Sequence, residues 1–235
     1  MHWAQTGITK MNKTNIFYIL VLLMLIVATG FELLTDKHWA RYYYKTVVSA
    51  PDNYPVTLKD AYFILADSTK STLNYNAINS WGESNASYPE GEDHLPVKLV
   101  LSYLSYRDKL FYADTIPLPA AALDSIFKNL DKTKDGNPVY NSSHRVNFSL
   151  NIVVGIANKG NIIVWLQGHN YEHTLLKHHI ASDKRLSARY FPENGEQQQL
   201  YFNMLSDEKP KEALRTGKDA NANYIDSPSL YSRTR

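Results

Sequence analysis

From Ile16 to Phe31 the chain runs IFYILVLLMLIVATGF without a charge, with Lys10 and Lys13 before it and Glu32 closing it. A charge-free apolar run behind upstream lysines predicts a membrane-directed helix, with Ile16, Leu20, Leu23, Val27 and Phe31 among its lipid-facing anchor residues. Sixteen residues rise only about 24 Å against a hydrocarbon core of about 30 Å, so Leu33 and Leu34 are drawn in and the segment is taken as 16–34. Two readings stay open. The helix is an uncleaved single-pass anchor with residues 1–15 as its cytoplasmic flank, or it is a signal peptide cut after the small residues Ala28-Thr29-Gly30. In both, the lysines stay inside and everything beyond Asp36 is exported. The opening MHWAQTGITK adds nothing to this logic, and Met11 is an equally good start.

After that segment the pattern shortens to strands. His38–Val48 and Val56–Leu65 are rich in aromatic and β-branched residues, and the turn cluster Ala50-Pro51-Asp52-Asn53-Tyr54-Pro55 separates them. From Ser68 to Asp93 the composition turns to Ser, Asn, Gly and Glu, which predicts a long loop or a ragged sheet edge. Lys98–Ser105 and Lys109–Ile116 flank Tyr106-Arg107-Asp108 as an antiparallel hairpin. Leu123, Ile126, Phe127 and Leu130 then recur at helical spacing behind Pro119, which suits a first helical turn. The clearest hairpin joins Phe148–Ala157 to Asn161–Gln167 through Asn158-Lys159-Gly160, where Asn and Gly tolerate the positive φ of a tight reversal. Tyr171–Ala181 continues the meander, and Glu196–Leu205 reads as a short helix. The predicted fold class is α+β: mainly antiparallel β-sheet in meander hairpins, with one or two short helices, over residues 38–205. A polar tail, 206–235, is expected to be partly disordered.

Composition narrows the function classes. Twenty-five Lys and Arg against 23 Asp and Glu give a net charge of +2, without the basic excess of a nucleic-acid protein. The absence of cysteine removes thiol catalysis, Cys-based zinc sites, iron–sulfur clusters and disulfide scaffolds together.

A series of landmarks carries a resemblance. Tyr54-Pro55-Val56 opens a strand and Ser80-Trp81-Gly82 follows. Leu95-Pro96 leads into the next strand, Phe111-Tyr112 precedes Leu118-Pro119 and a helix ending near Phe127, and VVGIANKGNIIVWLQG fills Val153–Gly168. This set resembles the bacterial envelope and lipoprotein family known as domain of unknown function 2931, over about Tyr42 to Ala181. The Val-Gly hairpin ending in Val164-Trp165-Leu166 is its sharpest part. The resemblance implies an envelope protein, single-pass in the inner membrane with its C-terminal domain in the periplasm, or periplasmic after cleavage. Members often look like companions of secreted antibacterial lipases, which implies an immunity role with a lipase-type toxin as partner. One departure stands out: family lipoproteins carry a lipidated Cys after a small residue such as Gly30, where this chain has Phe31.

None of these landmarks is catalytic, and the remaining chemistry is sparse. His169, His173, His178 and His179 crowd one stretch; on a helix His169 and His173 would share a face at metal-binding spacing. The surrounding sequence reads as a strand, on which His169, His173 and His179 face one way and His178 the other, too spread for one ion, and no HExxH is present. Ser102 and Ser105, near Asp108 and with His144 elsewhere, make a triad only if the fold is assumed, since no G-x-S-x-G elbow occurs. Glu90, Glu92 and Asp93 form an acidic cluster without EF-hand spacing. No phosphate loop is present, and Gly155 and Gly160 belong to the hairpin. No catalytic residue, cofactor site or metal site is assigned.

Seventeen Tyr and four Trp are the more informative feature. Tyr offers apolar area with a hydroxyl that tolerates a surface, so aromatic excess suits recognition as well as strand packing. Alternation requires at least one of Tyr42, Tyr43 and Tyr44 to expose its ring. Trp81 and Tyr88, in the polar loop, are candidate protruding anchors for a protein partner, with Tyr43 beside them. The expectation is a non-enzymatic, envelope-anchored binding protein. The alternatives are a metal-dependent or unrecognised envelope hydrolase and a structural envelope component.

Overall fold

The computed structural model describes residues 12–35, 40–73, 78–82, 91–140, 146–169, 171–192, 208–218 and 224–225. Two compact units divide the chain, Met1–Trp39 and Ala40–Arg235. The first holds helix α1, Lys13–Thr35, of 23 residues. At about 1.5 Å per residue it is about 35 Å long, with the apolar run flanked by the polar Lys13, Thr14 and Asn15. Its stretch Lys13–Phe31 has a mean hydropathy of 2.2, long and apolar enough to cross a membrane. The anchor residues Ile16, Leu20, Leu23, Val27 and Phe31 all lie on it, exposed.

The second unit is α+β with sheet dominant, the fold class expected from sequence. Its strands are β1 (Tyr42–Ala50), β2 (Val56–Leu65), β3 (Lys70–Thr72), β4 (Ile78–Ser80), β5 (Glu92–Asp93), β6 (Pro96–Ser105), β7 (Leu110–Pro117), β8 (Asn137–Tyr140), β9 (Val146–Ile156), β10 (Asn161–Gln167) and β11 (Glu172–His179). Its helices are α2 (Ala120–Thr133), α3 (Lys184–Tyr190) and α4 (Glu208–Thr216). The larger sheet runs β11-β10-β9-β1-β4, with β5 on β1 and β8 on β9; the smaller runs β3-β2-β6-β7.

Between the sheets lies the main core. Leu150, Ile152, Val154 and Ile156 of β9 and Ile162, Val164 and Leu166 of β10 face Phe63, Leu99, Leu101, Tyr103 and Ile116 of the smaller sheet. Strict alternation along each strand produces these two inward rows. A register shift between Leu58 and Asp60 lets both Leu58 and Ala61 turn inward although they are three apart. Helix α2 closes the core with Leu123, Phe127 and Leu130.

The intervening residues on the larger sheet are buried too. Val47, Val153, Ala157, Ile163 and Trp165 form a second cluster with Tyr54, Trp81 and Tyr224. Burial on both faces explains why Val153–Ile156 and Ile162–Leu166 read as continuous apolar runs and not as alternation. Trp81 packs on Trp165 with centroids 5.7 Å apart, Tyr224 meets Trp81 edge-on at 5.6 Å, and Tyr54 meets Tyr224 at 5.8 Å. Each such pair adds about 1 kcal/mol beyond area burial.

Several expectations change. The sheets are mainly antiparallel as expected, but two pairings are parallel: β1 with β9 from Tyr44↔Leu150 to Ser49↔Gly155, and β4 with β1. Single-strand patterning carries no information on which distant strand inserts beside another. The stretch expected as a long loop or ragged sheet edge contributes the short edge strands β3, β4 and β5, and β8, α3 and α4 were not foreseen. In the β9–β10 turn the positive φ falls on Lys159 (57°) and Gly160 (76°), the two central positions, and not on Asn158. The tail delivers more than disorder: α4 buries Ala213, and Tyr224 joins the second cluster. Arg107, in the β6–β7 turn, ties it down by donating to the carbonyls of Asn53 at 2.8 Å, Ala213 at 2.9 Å and Lys218 at 3.0 Å while stacking over Tyr54. The helix foreseen at Glu196–Leu205 lies outside the described residues.

Gly155 holds a close approach of the two indoles to the backbone. A Cβ there would strike the rings of Trp165 and Trp81 and the Ile163 side chain, the last at 2.9 Å. Gly155→Ala should therefore separate the indole pair and cost about 1–3 kcal/mol of stability, read as a lowered urea midpoint with an unchanged m-value; an unchanged midpoint would mean the two rings do not close over this backbone.

Candidate functional site

On the side of β1 away from β9, a cleft of about 280 Å3 opens, lined by Tyr44, Lys45 and Thr46 of β1, Ser71 of β3, Gly91, and Glu92 and Asp93 of β5. Short β5 pairs only with the start of β1, Tyr42↔Asp93 and Tyr43↔Glu92. Two acidic side chains are thereby brought beside a lysine.

A hydrogen-bonded floor holds this edge. The buried Tyr44 donates its hydroxyl to the His94 carbonyl at 2.6 Å, the His94 amide donates to Asp93 Oδ1 at 2.8 Å, and the buried His94 ring places Nε2 3.5 Å from Asp67 Oδ2. Asp67 is in turn fixed by the Thr69 hydroxyl at 2.6 Å and the Thr69 amide at 3.0 Å, which hold its carboxyl below the usual carboxylate range. Burial first, and then the negative charges of Asp93 and Asp67, push the Tyr44 phenol far above its ordinary value, so it remains a neutral donor. Behind it, Tyr42 donates to Asp124 of α2 at 2.7 Å and packs its ring 5.5 Å from Phe127, while Lys128 pairs with Asp124 at 3.0 Å. The cleft wall is thus braced by a helix.

The residues singled out from sequence distribute unevenly. Trp81 does not protrude: it is 5% exposed, pressed between Trp165 and Tyr224, because the outer face of the larger sheet needs a cover. None of Tyr42, Tyr43 and Tyr44 is fully exposed, since α2 covers the even-numbered face of β1 and Tyr43 is half-buried on the other. Tyr88, Glu90 and His144 lie outside the described residues. Glu92 and Asp93 do come together, at the cleft.

The histidines scatter. A bulge at Val164/Trp165 pairs His173 with Leu166 and His178 with Ile162, on the core side, and His179 with Asn161 on the other. His173 and His178 thus share a face and His179 opposes them, the reverse of simple alternation. His169 and His173 are exposed, and no group of three metal-capable side chains occurs among the described residues. The serines bond straight to carboxylates, Ser102 to Asp60 at 3.1 Å and Ser105 to Asp108 at 2.9 Å, where a hydrolase triad interposes an imidazole.

Sequence reading missed the larger apolar feature of the domain surface. Tyr140 is 73% exposed and Val146 46%, and they are the only exposed large hydrophobics among the described residues outside α1. They face each other directly across the β8–β9 pair. The signal was a lone Tyr before a polar Asn-Ser-Ser run, too short to read as a strand.

A family model described as "Protein of unknown function (DUF2931)" matches residues 35–229. The chain belongs to this family. The match extends beyond the landmarks at both ends and takes in α4 and Tyr224, so the tail is part of the family's domain. Comparison with curated proteins and with solved structures finds no match.

At the other edge of the larger sheet, His178 on β11 meets Asp114 on β7 at 2.8 Å, clipping the two sheets together. The His178 hydrogen bond, foremost, holds the Asp114 carboxyl below its ordinary value. A depressed carboxylate contributes stability that is present above its unfolded value and is lost as pH falls through the folded one. With 41% of the Asp114 side chain open to water, screening keeps this contribution to a few tenths of a kcal/mol. The urea-midpoint difference between the wild type and Asp114→Asn should therefore shrink as pH drops below about 4; a difference constant down to pH ~2 would show the clip contributes nothing.

Proposed function

We propose that the protein is a membrane-tethered binding module of the bacterial envelope, held by α1 with its C-terminal domain in the periplasm, that acts by occupying a protein partner and not by catalysis. The cleft beneath β1 and β5 carries this reading. It offers Lys45, Glu92 and Asp93 as charges of both signs over a braced, hydrogen-bonded floor, which suits reading the polar side chains of a partner. The two candidate serine nucleophiles, Ser102 and Ser105, donate to carboxylates, which also favours recognition. The most concrete partner is a secreted lipase-type toxin reaching the same compartment, blocked sterically.

Glu92 is the sharpest probe, because it is exposed while Asp93 anchors the His94 amide. In a toxicity-rescue assay with a co-expressed lipase-type toxin, the wild-type chain is expected to protect. Glu92→Lys should weaken partner affinity by about tenfold or more at unchanged thermal stability. Alanine at His173 and His179 together should leave protection intact. Full protection and affinity with Glu92→Lys would remove the cleft from the account, and loss of protection on removing the two histidines would restore the hydrolase alternative.

A further inference from the structure

The β8–β9 ribbon exposes a matched pair of apolar side chains, Tyr140 and Val146, that no neighbouring element covers among the described residues. Their position along the larger sheet suggests what does cover them. The β1–β9 ladder is parallel and begins at Tyr44↔Leu150, so the first residues of β9, Val146 among them, lie toward the end of the sheet where the chain enters the domain. The half-buried Phe148 lies between them and the core, so the apolar strip runs outward from the core to the sheet end. Residues 36–39 alone connect Thr35 to Ala40. A chain of that length spans no more than about 17 Å when fully extended.

We propose that Tyr140 and Val146 seat the domain on the bilayer that α1 spans, the phenol at headgroup level and the aliphatic carbons below it. Tyr is suited to that place because one end of the ring is apolar and the other is satisfied by water. The proposed seat is the apolar pair itself, so it needs neither anionic lipid nor low salt. It fixes the domain's orientation, and β5 with its cleft residues pairs with the same end of β1. The inference rests on α1 being retained as an anchor and is independent of what the cleft binds.

The cysteine-free chain makes the test direct. The full chain carrying Tyr140→Cys is labelled with an environment-sensitive fluorophore and reconstituted into phosphatidylcholine vesicles. A second sample carries the label at Arg185→Cys. That site is on α3, which hydrogen-bonds to the start of β7 at the opposite end of the domain. The expected result is a blue-shifted emission at 140, quenched by spin-labelled lipid and unchanged at about 0.5 M salt, with an aqueous spectrum at 185. Adding Val146→Asp to the 140-labelled chain should return its emission to the aqueous position, while the melting temperature stays put because both sites are exposed. Aqueous spectra at both positions would overturn the proposal. So would shielding at 140 that appears only when a protein partner is added, or a mature envelope protein whose N-terminus lies beyond α1. The charge-swap rescue assay reads the cleft separately, so either account can fail alone.

Discussion

Everything in the domain is arranged around a hairpin that has to be buried on both sides. Val153 and Ile163 face one way, Ile152, Val154 and Val164 the other, and all are fully excluded from water. A strand pair of that composition cannot stand at a surface, since each large aliphatic side chain left wet forfeits about 1.5–3 kcal/mol. The smaller sheet and α2 cover one face. The opposite face is too narrow for another sheet and is roofed by rings from three distant places: Tyr54 after β1, Trp81 after β4 and Tyr224 from the tail. Gly155 keeps its side of the backbone low enough for that roof to close.

The same requirement generates the cleft. Because β9 is buried on both faces, its flank beside β10 is extended by β11 and its other flank is taken by β1 in parallel. Beyond β1, among the described residues, only the short pieces β4 and β5 remain, each pairing with one end of it. The cleft occupies this edge, with Lys45 set by β1, Glu92 and Asp93 by short β5, and its floor by the bonds of residues 67–69 and 93–94. Function is most economically placed at such an edge, where side-chain chemistry varies without disturbing the doubly buried centre.

How much of this was readable in the chain depends on the range of the forces involved. Strands β2 and β10 and the hairpin turn followed from local pattern and turn chemistry, because those signals reside within a few residues. The α2 helix was legible from the spacing of Leu123, Ile126, Phe127 and Leu130, and the apolar α1 from its lack of charge. The parallel β1–β9 pairing was not, since it joins residues over a hundred positions apart. Trp81 was misread for a related reason: in a polar local sequence a Trp looks like an exposed anchor, and only the distant Trp165 and Tyr224 show that it is a lid on the core. His173 and His179 changed faces through a single bulge, which strand alternation cannot anticipate. Of the candidate site, Glu92 and Asp93 were visible as an acidic cluster, whereas their partners Lys45, Ser71 and Tyr44 were assembled by tertiary structure.

Parallel insertion of β1 beside a hairpin sealed on both faces has a signature in native-state amide hydrogen exchange. The amides of residues 46–48, 152–155 and 163–165 should exchange together, only through global unfolding, as the slowest set in the domain. If the β1 amides exchanged through local opening while the hairpin stayed protected, β1 would not be the inner neighbour of β9, and both the roof and the cleft built on it would have to be abandoned.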